Sequence, residues 1–368
     1  MKRDKKILEI VKNKILNEYK KDILLLVVYG NDKADEDENL GIQFYFIPKN
    51  ERGKNLSTQF IVEDVSYDLF PISWERLIAN AAMDSPQGYL LLDTEVIYYS
   101  DEEALNRFEN MKDSLKTVLS GKYDEALVNK AYEYFNESYI YLYNMYKYKD
   151  SMSSVRLEAG KLLNKIANAL GFANREYYKN GNGSVLRDSL KLERLPKNYK
   201  VLVNDIIFST SSEEIYLNSL SLVENTRELL LAMKKENKQN ELFETLFTGY
   251  YEELKKSINK CKIAVSQKDY YKLYELFSYI QEEVGQFVAK VEEGIWYDDR
   301  NAFVEYGKYF KDIFGLDLLE LTSQKDNEQI LMAIDKFEKD LVSLMRNNQI
   351  KLLDFKSVEE FEIYFRDK

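Results

Sequence analysis

The chain has 368 residues, 45% of them hydrophobic and 31% charged, with 29 Tyr and 19 Phe, which is apolar material for two or three domains and excludes a disordered chain. Its net charge of −11 argues against a general nucleic-acid binder, which needs clustered Lys and Arg to displace counterions from phosphates. A single cysteine, Cys261, permits no internal disulfide and no cysteine zinc cluster, and the absence of His excludes Ser-His-Asp and Cys-His catalysis, leaving carboxylates, Lys, Tyr and backbone amides for any chemistry.

Residues 4–20 carry Ile7, Leu8, Ile10, Val11, Ile15 and Leu16 at helical spacing among Lys and Glu, which predicts an amphipathic helix packed on a sheet. The next run, Ile23 to Tyr29 (ILLLVVY), has no alternation and reads as a strand buried on both faces. It ends in a Gly30-Asn31 turn. An acidic loop with Asp32, Asp35, Glu36, Asp37 and Glu38 then leads into a second strand, Gly41 to Ile47. A third run, Phe60 to Asp64, is expected to turn over Val65 and Ser66 into a strand from Tyr67 to Ile72. Asp68 then lies inside a strand, where a carboxylate is costly unless it sits at the mouth of a cleft or meets a cation. Ser73 is placed to cap a helix starting at Trp74, Thr94 to Tyr99 reads as another strand, and Asp101 opens a further helix.

From about Ala126 apolar residues recur every three or four positions, so helices are expected to dominate the rest. The aromatic residues of AYEYFNESYIYLYNMYKYK are expected to pack helix against helix, since a base-stacking platform needs a basic groove beside it. Val155, Ala159, Leu162, Leu163, Ile166 and Leu170 line one side of a helix expected to stop near Gly171. Gly181 and Gly183 follow no strand and read as loop. Amphipathic helices continue over 212–235, over 240–293 and on to about Asn347, and the tail DFKSVEEFEIYFRDK reads as a helix or a short strand. The chain has no run of about 18 apolar residues and its N-terminus is charged throughout, so neither a membrane span nor a signal peptide is expected and a cytoplasmic location is inferred.

The order strand, Gly-turn, strand, with Asp68 on a later strand, resembles the nucleotidyltransferase fold of the kanamycin and lincosamide type. The resemblance is carried by residues 20–100, extends over the helices to about 235 with less specificity, and is absent beyond. In that family a Gly-Ser at the end of a strand holds nucleotide phosphates and an Asp-x-Asp pair on the next strand binds two metals. A third Asp comes from a later strand, and a carboxylate of the helical domain acts as general base. The resemblance therefore implies cofactor-binding places for Gly30, Asn31 and Gln43, a metal-binding and catalytic place for Asp68, and Glu158 as the base, with magnesium and a nucleoside triphosphate as cofactors. The Asp-x-Asp places fall on Gly41 and Gln43, neither of which carries charge. The expected fold is α+β: a mixed nucleotidyltransferase-like sheet with flanking helices over 1–120, a helical domain packed on it over 121–235, and an additional helical domain over 236–368.

Three functional readings follow. In the first, transfer has degenerated and the cleft binds a nucleotide or a partner, because two-metal transfer needs paired carboxylates to hold the ions that polarise the α-phosphate. In the second, Asp68, Glu158 and acids of the loop hold at least one magnesium ion, and the protein modifies a small hydroxylated molecule or a protein side chain. In the third, the helices beyond 236 bind a protein partner or make a homodimer. No membrane or nucleic-acid partner is expected.

Overall fold

The computed structural model describes residues 2–29, 41–121, 125–179, 183–236, 243–297 and 305–366. The chain divides into two compact units, Met1–Met233 and Lys234–Lys368.

In the first unit, helix α1 (Lys2–Lys14) passes into a π-helical turn at Ile15–Tyr19. A five-stranded sheet follows, built from β1 (Ile23–Tyr29), β2 (Gln43–Pro48), β3 (Thr58–Val62), β4 (Val65–Pro71) and β5 (Thr94–Tyr99) in the order β3-β4-β2-β1-β5. β2 and β4 run parallel, and the other neighbours are antiparallel. Short helices α2 (Glu51–Lys54), α3 (Trp74–Ala81) and α4 (Tyr89–Leu92) interrupt the strands. β1 is buried on both faces, as a run without alternation requires. Leu26 and Val28 share a core with Ile7, Val11 and Ile15, whereas Leu25 and Val27 share one with Leu77, Leu91 and Phe108. The β3–β4 turn lies over Glu63 and Asp64, both at positive φ (52° and 63°), rather than over Val65 and Ser66. Two consecutive left-handed residues match the twist of the flanking strands, and Val65 and Ser66 already belong to β4.

The remaining helices of this unit are α5 (Glu102–Ser120), α6 (Glu125–Asn136), α7 (Ser138–Lys147), α8 (Met152–Asn174), α9 (Val185–Ser189), α10 (Tyr199–Phe208) and α11 (Ser212–Glu236), the last of which carries the division between units. Ser73 Oγ accepts from Arg76 N and Asp101 Oδ1 from Ala104 N, so both helix starts legible in the sequence carry their caps. α8 runs three residues past Gly171. That glycine lies within the helix, where the Tyr178 ring and the Glu176 carbonyl come within about 3.2 Å of the place of its missing Cβ. The helix ends at Arg175, in the left-handed region at φ 59°, which lets Glu176 N donate back to Gly171 O. The aromatic run is divided: Tyr132 and Phe135 are core residues, while Tyr143 and Tyr146 are each 61% exposed.

The regular elements among the second unit's described residues are helices: the end of α11, then α12 (Phe243–Phe247), α13 (Tyr250–Gln267), α14 (Tyr270–Glu293), α15 (Glu305–Phe314), α16 (Leu318–Gln324), α17 (Asn327–Asn347) and α18 (Val358–Arg366). Leu254, Ile258, Phe277, Val284, Phe310 and Phe337 anchor its core, and Cys261 is buried among them as a small apolar side chain. The tail forms a helix, α18, with no buried residue. No helix among the described residues is long and apolar enough to cross a membrane.

Candidate functional site

The sheet brings one row of polar side chains to a single level. Tyr29, the last residue of β1, pairs with Gln43, the first of β2. Phe44 pairs with Leu69 across the parallel β2–β4 seam, which sets Gln43 level with Asp68, and Asp68 pairs in turn with Gln59. Residues opposite one another in a sheet share a face, as do residues two apart along a strand. Tyr29, Gln43 and Asp68 therefore face the same side as Tyr45 and Phe70. The ring contacts agree: Tyr29 lies 5.9 Å from Tyr45, 6.2 Å from Phe70 and 5.7 Å from Tyr89 of α4.

Asp68 is half-buried, and its side chain makes no hydrogen bond or ion pair with another described residue. Its charge is felt at Tyr29. Burial, then Tyr89, then Asp68 push the Tyr29 hydroxyl far above the usual phenol range, and Arg76 of α3 pulls the other way. Arg76 also acts on Tyr89, and its guanidinium donates to Gln87 Oε1 at 2.9 Å. The row thus has a carboxylate (Asp68), a guanidinium (Arg76), two amides (Gln43, Gln87) and two half-buried phenols (Tyr29, Tyr89). The sequence reading missed Tyr29, Arg76, Gln87 and Tyr89. Arg76 was the most findable, because the Ser73 cap fixes its helix directly after β4.

Gly41 does not join this row. A Cβ at Gly41 would lie 2.6 Å from the Tyr67 ring and 2.8 Å from Val65 Cγ1, and both of those side chains belong to the core on the opposite face of the sheet. Tyr67 is fully buried and pinned, donating to Asp4 Oδ1 at 2.5 Å and accepting from Arg3 Nε at 2.8 Å. The two Asp-x-Asp places thus point to different faces, and a side chain at the first would collide with a ring held by two hydrogen bonds. Gly30, Asn31 and the acids Asp32 to Glu38 lie outside the described residues.

Glu158 is elsewhere and already engaged. It is 8% exposed in α8, accepting from Lys161 Nζ at 2.6 Å and from Asn144 Nδ2 of α7 at 3.0 Å. Lys161 first and Asn144 second hold its carboxyl below the usual carboxylate range. No contact among the described residues joins it to Asp68. Arg156, two residues earlier, donates to the carbonyls of Ile207 and Ser209 at the end of α10.

Residues 105–220, from α5 into α11, match the family model described as the KNTase C-terminal domain. Over those residues the chain is similar to the C-terminal domain of nucleotidyltransferases of the kanamycin type. Glu158 lies within the matched residues, whereas Asp68 and its row lie on the sheet that precedes them. A crystal structure of a nucleotidyltransferase-like protein from Exiguobacterium sibiricum 255-15 aligns at 8% identity over 62% of this chain and 75% of that one, with a TM-score of 0.37, an overlap too low to carry residues from one chain to the other. No curated protein matches the sequence.

The divalent metals that the sequence resemblance implies do not fit the described residues. No group of three or more Asp, Glu, Cys or His side chains suited to a metal occurs among the described residues. Asp68 is the one carboxylate of its row, and Gln43 offers an amide where a charged oxygen pair is needed.

Proposed function

We propose that this nucleotidyltransferase-like protein has lost nucleotidyl transfer and binds a nucleotide through the face of the sheet that carries Asp68. The observation behind this reading is the divided Asp-x-Asp place, with Gly41 turned toward Tyr67 and Gln43 left beside a lone Asp68. Two-metal transfer stabilises both the attacking and the leaving oxygen through paired ions. One carboxylate cannot hold such a pair. The same face keeps the parts of a binding site: Arg76 offers a planar cation to phosphate oxygens, Asp68 and Gln43 meet hydroxyl or amino groups, and the rings of Tyr29 and Tyr89 offer apolar faces to a base.

Calorimetric titration with ATP and with GTP, with and without magnesium, tests this on the full chain and on the Asp68→Ala and Arg76→Ala variants. Binding that is insensitive to magnesium and weakened at least tenfold by Arg76→Ala is the expected result. Binding that requires magnesium and disappears in Asp68→Ala would overturn the degenerate reading, because acids between Asp32 and Glu38 would then complete a metal site and transfer would be the function. Absence of binding by either nucleotide would sink the nucleotide reading and leave a protein partner as the ligand of this face.

A further inference from the structure

The connection between α3 and α4 is tied into a ring of hydrogen bonds that ends on Arg76. Asn80 stands one helical turn after Arg76, on the same side of α3, and is fully buried. Its Oδ1 accepts from Ser85 Oγ at 2.8 Å, and that hydroxyl oxygen accepts in turn from Gln87 N at 3.3 Å. Gln87 closes the ring with its side chain, whose Oε1 accepts from Arg76 Nη2 at 2.9 Å. Met83, left-handed at φ 57°, reverses the chain after α3 and so returns Ser85 to Asn80. Among the described residues the Asn80 side chain has no hydrogen bond but this one, its Nδ2 meeting no acceptor.

The far end of the connection is fixed as well. Tyr45 Oη donates to Leu90 O at 2.6 Å, which ties α4 to β2. The Tyr177 ring lies 2.9 Å from where a Cβ at Gly88 would stand, so the backbone next to Gln87 is backed by a ring. What these restraints hold is an exposed arginine. A long charged side chain at the surface samples many rotamers, and ordering it on a ligand costs affinity. Held by Gln87, the Arg76 guanidinium is ordered beforehand, and its other N–H groups can meet phosphate oxygens in a fixed fork. The holding group is a neutral amide, which orients the cation without cancelling its charge. Lys161, held by the carboxylate of Glu158, shows the other choice.

We propose, on the nucleotide reading above, that Asn80 and Ser85 are positioning residues for the phosphate end of the ligand. Acting through Gln87, they set the Arg76 guanidinium in the orientation that reads a phosphate, and the site thereby favours phosphorylated over unphosphorylated nucleosides.

Calorimetric titration of the full chain with ATP and with adenosine tests it on the wild type, on Ser85→Ala, on Arg76→Ala and on the double variant. Ser85→Ala is expected to weaken ATP binding about fivefold, the worth of one hydrogen bond, and to leave adenosine binding unchanged. Ser85→Thr keeps the hydroxyl and is expected to bind ATP as the wild type does. In the Arg76→Ala background Ser85→Ala should have no further effect, because the group it orients is gone. An equal loss in both backgrounds overturns the proposal, since Ser85 would then act on the ligand directly or on the fold at large. So does an equal loss for ATP and adenosine, or undiminished ATP binding by Ser85→Ala. A second measurement needs no nucleotide: modification of Arg76 by phenylglyoxal, mapped by mass spectrometry, is expected to run faster by a similar factor in Ser85→Ala and in Gln87→Ala. If the wild type binds neither ATP nor adenosine, the nucleotide reading falls by itself, and the phenylglyoxal rates decide whether Ser85 holds Arg76; rates unchanged in both variants overturn the positioning role.

Discussion

At Asp68 a half-buried carboxylate stands on the sheet with no hydrogen bond or ion pair among the described residues. In the second unit, Glu338 of α17 is surrounded: it accepts from Tyr251 at 3.1 Å, from Lys262 at 2.8 Å and from Lys255, and Lys262 also reaches Asp335 at 2.7 Å. Glu158 in α8 falls on the same side as Glu338, with Lys161 and Asn144 filling its oxygens. The difference separates carboxylates that the fold uses for itself from one that meets no side-chain partner among the described residues. A carboxylate saturated by its own chain has little left to offer a substrate, whereas one without such a partner on a sheet face is the place to look for a ligand.

The comparison breaks first, and most visibly, at Glu338. Its side chain is only 14% exposed, and Glu338→Ala takes from Lys255 the carboxylate that ties it to α17 and leaves Lys262 with Asp335 alone. Breaking such a partly buried network is expected to cost about 3 kcal/mol, read as a loss of hydrogen-exchange protection in peptides of α13 and α17. Gly41 breaks it next. Gly41→Ala forces a Cβ to 2.6 Å from a ring that two hydrogen bonds hold in place, an overpacking expected to cost about 2 kcal/mol in urea denaturation. If Gly41→Ala is neutral, Tyr67 can yield and the steric bar to an acid at this place falls with it. The double variant Gly41→Asp, Gln43→Asp is accordingly expected not to gain magnesium binding.

Much of this was legible in the sequence, and the failures have physical causes. β1 could be read because an uninterrupted apolar run fits a strand covered on both sides, and Ser73 and Asp101 because a capping side chain beside an amphipathic run is a local signal. The β3–β4 turn was misplaced because Glu63 and Asp64 adopt left-handed backbone without a glycine to announce it. Gly171 read as a stop, yet it serves close packing against Tyr178 inside α8. At the site, Asp68 was visible as a carboxylate in a strand. The divergence of Gly41 and Gln43 was not, because spacing two apart implies a shared face only while the chain stays in regular strand, and residues 41 and 42 precede β2. The resemblance implied Glu158 as a base, and its hydrogen bond from Asn144 of α7 is a contact that only the third dimension supplies.

Glu158 gives a smaller effect with a definite sign. Its carboxyl is held below its ordinary value of 4.5 in the folded state, by Lys161 first and Asn144 second. A depressed folded value means that the bonus is fully present above the unfolded pKa and is lost as pH falls through the folded one. Glu158→Gln keeps a partner for Asn144 and loses the charge, so it is expected to cost about 1 kcal/mol at neutral pH, Lys161 being nearly half exposed. Below the folded pKa the wild type is itself protonated, and the gap between the two proteins should close. A gap that stays constant from neutral pH to about pH 3 would mean that charge plays no part in what Glu158 contributes.

Asp68 should give the smallest effect on stability and the largest on binding. With no described partner to lose, Asp68→Asn is expected to change the free energy of unfolding by no more than about 0.5 kcal/mol in either direction, against the ~1 kcal/mol at Glu158, where a partner is lost. The same substitution removes the one charged oxygen pair of the row beside Tyr29 and Gln43, so ligand affinity should fall while the unfolding midpoint holds. A stability loss as large as that of Glu158→Gln would mean that Asp68 has a structural partner after all, drawn from outside the described residues. The acids between Asp32 and Glu38 cannot be that partner without a bridging cation, since like charges repel, so a loss that appeared only in the presence of magnesium would locate a metal on this face.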